Sequence, residues 1–122
     1  MQLEIVTQAD EELYEAFQRL VPQLTTNNPP PSLNDLADLV RDSSSTLIIA
    51  RNDNNDIVGA LTLAVYRVPT GIRSVIEDVI VDISTRGEGV GEALMLRGIE
   101  LAREKGAGNI SLTSNPMRVA AN

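Results

Sequence analysis

Residues 76–91 read Ile76-Glu77-Asp78-Val79-Ile80-Val81-Asp82-Ile83-Ser84-Thr85-Arg86-Gly87-Glu88-Gly89-Val90-Gly91, an apolar strand that runs into an alternating glycine loop and a helix beginning near Val90. Glycine's small size lets backbone N–H groups converge on an anion, and the positive end of the following helix dipole adds field at the same spot. The stretch therefore predicts a phosphate site at the carboxyl end of a strand, where ligands bind in open sheets. A tight turn that merely joins strand to helix is the plain alternative, yet three alternating glycines exceed what one turn requires.

Working outward, residues 72–82 form the strand that feeds the loop. Strict alternation puts Val75, Glu77, Val79 and Val81 on one face and Ile76, Asp78, Ile80 and Asp82 on the other, unless a bulge intervenes. Polar turns at residues 52–56 and 69–71 separate this strand from runs at 57–66 and 46–51, which predicts an antiparallel meander. On the carboxyl side, Val90, Leu94, Leu96, Ile99, Leu101 and Ala102 mark a helix ending at Gly106, followed by a strand at 109–113. Pro116 and the residues to Asn122 start a further helix.

The amino-terminal part reads as a short strand at 3–6, then a helix at 10–20 with Leu13, Phe17 and Leu20 on one face. Pro29-Pro30-Pro31 cannot be helix interior, so residues 25–31 are a loop, and Ser32 caps a second helix at 32–41 in which Leu33, Leu36, Ala37 and Val40 recur. No composition break divides the chain. The expected fold class is α/β of the α+β kind, one domain over residues 1–122, with a mixed central sheet, an antiparallel meander and flanking helices.

Composition narrows the chemistry. The 122 residues include no Cys and no His, which excludes a thiol nucleophile, an imidazole base, a Ser-His-Asp triad, disulfides and the usual zinc ligands; no metal site is expected. Proton transfers would fall to carboxylates, Tyr14, Tyr66, the single Lys105 or water. At 43% hydrophobic and 2% aromatic, the core must come from Leu, Ile, Val and Ala. No run is long enough to span a membrane and no signal segment is visible, so a soluble cytoplasmic protein is expected. A formal net charge of −7 with scattered basic residues argues against nucleic-acid and anionic-membrane partners, and mildly favours a cationic small-molecule or peptide ligand by steering.

Several phosphate ligands compete for the loop. A nucleoside triphosphate loop needs Lys and then Ser or Thr after its last glycine, whereas Gly91 is followed by Glu92 and Ala93. A dinucleotide fingerprint starting at Gly87 wants glycine at Glu92 and normally belongs to a parallel unit.

The 76–91 stretch resembles the acetyl-CoA motif of the GNAT family, the Gcn5-related N-acetyltransferases, in which Arg or Gln begins R-x-x-G-x-G. The resemblance continues at Leu112-Thr113-Ser114-Asn115-Pro116 and from Arg118 to Asn122, and with the helix pair and meander it covers nearly the whole chain. It implies a GNAT-like acyl-CoA N-acyltransferase fold and acetyl-CoA as co-substrate. It further implies that the amides of Gly87, Gly89, Val90, Gly91 and Glu92 hold the CoA pyrophosphate, and that backbone groups at Val79, Val81 and Ile83 meet the pantetheine arm as an added strand would. Ile83 stands where the family often has proline. Arg86 is either a phosphate-facing cation or a surface residue. Glu88 and Glu92 bring carboxylates beside the anion, so only their amides would serve. Asn122 matches a family asparagine at the entry to the next helix and joins the cofactor-binding residues on that ground alone.

For catalysis, family members often carry on this strand a carboxylate that takes the amine proton directly or through water, which here points to Glu77. The structural alternative is an ion pair with Arg73 or Arg51. Asp78 is expected on the opposite face in a structural or solvated role. Tyr66 and Tyr14 either line the acceptor pocket or are packing residues with wet hydroxyls. The loop at 25–31 and its flanking helices are expected to form the acceptor wall.

The family tyrosine that protonates the departing thiolate would lie just beyond Asn122, so the chain reads as shortened at its carboxyl end. Strand 109–113 would then be an edge that favours a homodimer. Two functions follow. One is an acetyltransferase moving acetyl from acetyl-CoA to a primary amine by direct transfer in a ternary complex. The other is a catalytically weak or inactive CoA-binding module.

Overall fold

The run Leu47-Ile48-Ile49-Ala50 is buried at every position. Only a strand covered on both faces has that pattern, so helices must lie on each side of the sheet. The computed structural model, which describes residues 1–113, has this arrangement. Strands β1 (Gln2–Ile5), β2 (Ser45–Arg51), β3 (Ile57–Val68), β4 (Gly71–Val81) and β5 (Asn109–Thr113) form one sheet in sequence order. Pairings β1·β2, β2·β3 and β3·β4 are antiparallel, while β4·β5 is parallel. The mixed sheet and the meander are as expected from the turn signals.

Helices α1 (Glu11–Leu24) and α2 (Leu33–Arg41) cover one face, and α3 (Val90–Glu104) covers the other. On the first face Leu13, Phe17, Leu20 and Leu36 pack on Leu47, Ile49, Ala60 and Ile80. On the second, Leu94, Leu101 and Ala102 pack on Ile48, Leu61, Leu63 and Ile76. Each fully buried Leu of this kind stabilises the fold by about 1.5–3 kcal/mol relative to exposure.

Both amino-terminal helices have caps that are local in sequence. The Asp10 carboxylate accepts from the Leu13 N–H at 2.9 Å. Ser32 and Asp35 form a reciprocal capping box, each side chain accepting from the other's backbone N–H at 3.0 Å. Helix α1 runs to Leu24, past the expected end at Leu20. Pro22 lacks an N–H, but the Thr25 amide still closes on the Val21 carbonyl at 3.0 Å, so one missing bond does not end the helix.

The largest departure from simple alternation lies in β4. Thr62 pairs with Glu77 and Ala60 with Ile80, so two steps along β3 correspond to three along β4. The extra residue is accommodated at Asp78, whose φ of 51° is left-handed. This bulge reverses the parity beyond it and corrects the expected face assignment. Val79 and Val81 join Ile76 on the α3 side, while Ile80 packs under α1 and α2. Glu77, opposite Thr62, shares that α1–α2 face, and Asp78 faces it too. Among the described residues no helix is long and apolar enough to cross a membrane.

Candidate active site

Strand β4 leads through a short 3-10 turn, Ile83–Thr85, into the glycine loop and α3. Asp82 builds that turn. Its carboxylate accepts from the Ser84 amide at 3.1 Å and the Ser84 hydroxyl at 3.0 Å, and its carbonyl accepts from the Thr85 amide and hydroxyl, each at 2.9 Å. Burial pushes the Asp82 carboxyl up, but the Ser84 donors and the nearby Arg19 guanidinium together hold it below the usual carboxylate range.

Within the loop Gly87 has φ 88° and Gly89 φ 81°, a left-handed conformation that L side chains rarely adopt. A Cβ at either position would meet nothing within 4 Å, so the loop opens onto free space rather than packing on the fold. Gly89 is the N-cap of α3, and no side chain caps that helix. The amides of Val90, Gly91 and Glu92 have no acceptor among the described residues, as expected for the first turn of a helix without a side-chain cap. Arg86, Glu88 and Glu92 are exposed, and Arg86 has no ion-pair partner among the described residues. These donors fit a doubly charged pyrophosphate, because they offer uncapped N–H groups at the positive end of a helix of 15 residues.

The loop's height above the sheet is set by a residue that the motif does not contain. A Cβ on Gly59 of β3 would lie 2.8 Å from Val90 Cγ1, 3.0 Å from Leu94 Cδ1 and 3.2 Å from the Ile80 carbonyl oxygen. Only glycine lets the first turn of α3 settle this close to β3. A lone glycine inside an apolar strand was the sequence signal for close approach, although nothing nearby named its partner.

Val79 and Val81 continue β4 past the last described parallel pair, Glu77 with Thr113. This is the stretch beside which an extended arm could run. Ile83 differs from its neighbours. Its N–H donates to Gln23 Oε1 at 2.8 Å and its carbonyl accepts from the Arg86 amide at 3.3 Å, so its backbone polar groups are engaged within the chain and its side chain is exposed. Asn122 lies outside the described residues, as does the helix expected from Pro116.

On the other side of the bulge lies a cleft of about 360 Å3. Helix α1 contributes Phe17, Val21 and Leu24; α2 contributes Asp35, Leu36 and Leu39; the sheet floor is Thr62, Asp78 and Ile80. Thr25, Asn28, Pro29 and Pro31, from the loop between the two helices, close one end. Asp78 therefore reaches the cleft that its expected face would have denied it. Glu77 is exposed and lies on the same side of the sheet through its pairing with Thr62. Of the arginines weighed as its partners, Arg51 binds Glu4 at 2.9 Å and Glu12 at 2.8 Å, and Arg73 donates to the Thr70 hydroxyl at 3.0 Å. The Arg51 hydrogen bond holds the Glu12 carboxyl below its ordinary range. Tyr66, exposed and opposite Arg73, does not line the cleft, and Tyr14 packs against the α1–α2 core.

Comparison with known proteins gives a consistent result. A model described as the acetyltransferase (GNAT) family matches residues 10–121. A glucosamine 6-phosphate N-acetyltransferase from Trypanosoma brucei brucei is 36% identical over 97 residues, a match spanning 74% of this chain and 66% of that protein. Among solved structures, a Trypanosoma brucei acetyltransferase superposes with a TM-score of 0.73 at 29% identity, over 94% of this chain and 83% of the other. An aminoglycoside acetyltransferase from an uncultured soil metagenomic sample, in complex with sisomicin, gives a TM-score of 0.80 at 22% identity over 94% and 78% of the two chains, a likeness of fold.

Proposed function

The chain belongs to the GNAT family of acetyltransferases, and from that premise we propose that it transfers the acetyl group of acetyl-CoA to a primary amine by direct attack in a ternary complex. The observation that carries the proposal is the uncapped start of α3, where left-handed Gly87 and Gly89 open the first-turn amides to an anion. In this reading the amides of Gly87, Gly89, Val90, Gly91 and Glu92 hold the pyrophosphate, Arg86 adds a guanidinium beside it, and Glu88 contributes no more than backbone. Val79 and Val81 guide the pantetheine arm, with the exposed side chain of Ile83 beside it. Acetyl-CoA supplies an acetyl group already activated as a thioester.

The acceptor cleft has apolar walls and two carboxylates, Asp35 and Asp78. That combination suits an amine that arrives as a cation and must lose a proton before it can attack. Glu77 is the proposed base, with Asp78 holding the ammonium from the adjacent position of the bulge. Left-handed backbone at a non-glycine residue costs about 1–3 kcal/mol and often marks a functional site. Here it brings two neighbouring carboxylates to one side of the sheet. Glucosamine 6-phosphate, named for the Trypanosoma relative, and aminoglycosides, named for the metagenomic structure, are primary amines with which an acceptor screen should begin.

The chain has no cysteine, so a thiol reagent reports only the CoA released. The expected result is amine-dependent thiol release, with kcat lowered about a hundredfold in Glu77→Gln and acetyl-CoA affinity unchanged. Equal turnover of Glu77→Gln and wild type across pH would move the base elsewhere. Acetyl-CoA binding without turnover on any amine would instead favour a CoA-binding module.

A further inference from the structure

We propose that Gln23 and Arg19, both on α1, are positioning residues that hold the entrance of the glycine loop in the geometry needed to bind acetyl-CoA. The proposal rests on the assignment of that loop to the cofactor. Beyond Arg86 the Glu88 amide ties the loop back to the Thr85 carbonyl at 3.1 Å, while the space above Gly87 and Gly89 is open. Its placement must come from its two ends. The carboxyl end is seated by Val90 and Leu94 against Gly59. The amino end is the turn at 82–85, and α1 grips that turn at two points.

Gln23 Oε1 accepts from the Ile83 N–H at 2.8 Å. Its amide nitrogen donates to the Arg19 carbonyl at 3.3 Å, which fixes the orientation of the amide so that oxygen faces Ile83. Arg19 spans three elements. Its Nη2 donates to the Ile57 carbonyl at 2.6 Å, and its Nε meets Asp82 Oδ2 at 3.3 Å. Four residues apart, Arg19 and Gln23 share one face of the helix, while Phe17, Val21 and Leu24 turn toward the acceptor cleft. The same rigid helix thus touches the acceptor site with apolar side chains and the cofactor loop with polar ones.

Displacement of a binding group by about 1 Å is enough to cost much of a positioned interaction. Removing the Gln23 contact should therefore weaken the cofactor while leaving the core alone, because Gln23 is exposed. The test uses the full chain in three forms, wild type, Gln23→Met and Gln23→Glu, titrated calorimetrically with acetyl-CoA, alongside amide NMR spectra of the free proteins. Gln23→Met should raise Kd about fivefold, the effect of one lost hydrogen bond. It should also shift the Gly87, Gly89 and Gly91 amide signals and expose the Ile83 amide to exchange. Gln23→Glu keeps an acceptor oxygen and should restore both readouts toward wild type. A merely structural role would lower the melting temperature without a selective shift of the loop glycines. Unchanged affinity and unchanged glycine signals in folded Gln23→Met overturn the proposal. A wild-type chain that fails to bind acetyl-CoA overturns the cofactor assignment itself, and the positioning role with it.

Discussion

The glycine loop and the cleft under α1 and α2 flank the same bulged strand, yet they are built from different materials. The loop offers backbone donors from consecutive residues and almost no side chain. The cleft offers side chains from α1, α2, β3 and β4, brought together only by folding. A backbone site suits a ligand whose chemistry is fixed, such as a pyrophosphate, because substitution of neighbouring side chains leaves the donors in place. A side-chain site can be altered one residue at a time. Under the proposed function, the difference makes cofactor and acceptor recognition separable in this molecule, except where α1 joins them.

The largest expected effect tests the cleft. Leu36 is 2% exposed and contributes to both the core and the cleft wall, so Leu36→Ala should cost about 2–5 kcal/mol of stability. Denaturant titration measures this. Under conditions where the variant remains folded, acetyl-CoA affinity should stay near wild type; a parallel loss of cofactor binding would break the separation. Gly89→Val probes the loop. A β-branched residue at φ 81° is strained by about 1–2 kcal/mol, and relief of that strain moves the amides away from the ligand. Acetyl-CoA affinity should fall about a hundredfold by calorimetry, equivalent to about 2.7 kcal/mol, with the chain still folded.

Gly59→Ala should have an intermediate effect on both properties. Its Cβ would sit 2.8 Å from the Val90 side chain, and overpacking of this kind typically costs about 1–3 kcal/mol. Thermal melts and acetyl-CoA titration should therefore worsen together. The smallest effect concerns pH. Asp82 has a depressed folded pKa, so its contribution is present above the unfolded carboxylate pKa and is lost as pH falls through the folded value. Melting temperature should fall more steeply as pH drops below about 5 in wild type than in Asp82→Asn, by an amount reflecting about 1 kcal/mol. Equal slopes would remove Asp82 from the acid response.

Much of the fold was legible because its signals are local. Gly87 and Gly89 declare a loop by their own conformational freedom, and Ser32 with Asp35 declares a helix start three residues ahead. The turns at 52–56 and 69–71 gave the meander in the same way. The bulge at Asp78 was not legible, because alternation in β4 is continuous in the sequence and the extra residue exists only relative to Thr62 and Ala60 across the pair. Helix α1 extends four residues past its expected end, since Pro22 is a breaker by type and is tolerated here by position in the last turn. Gly59, Arg19 and Gln23 were missed for a related reason. Each acts on a residue more than twenty positions away, Val90, Asp82 and Ile83 respectively, and nothing beside it in the chain marks the contact.

The most direct test of the account is calorimetric titration of the full 122-residue chain with acetyl-CoA. The account predicts saturable binding at one site per chain, carried by the uncapped amides at the start of α3. A folded chain that takes up no heat and shows no binding across the titration would contradict it, and the glycine loop would then be a connection between strand and helix and nothing more.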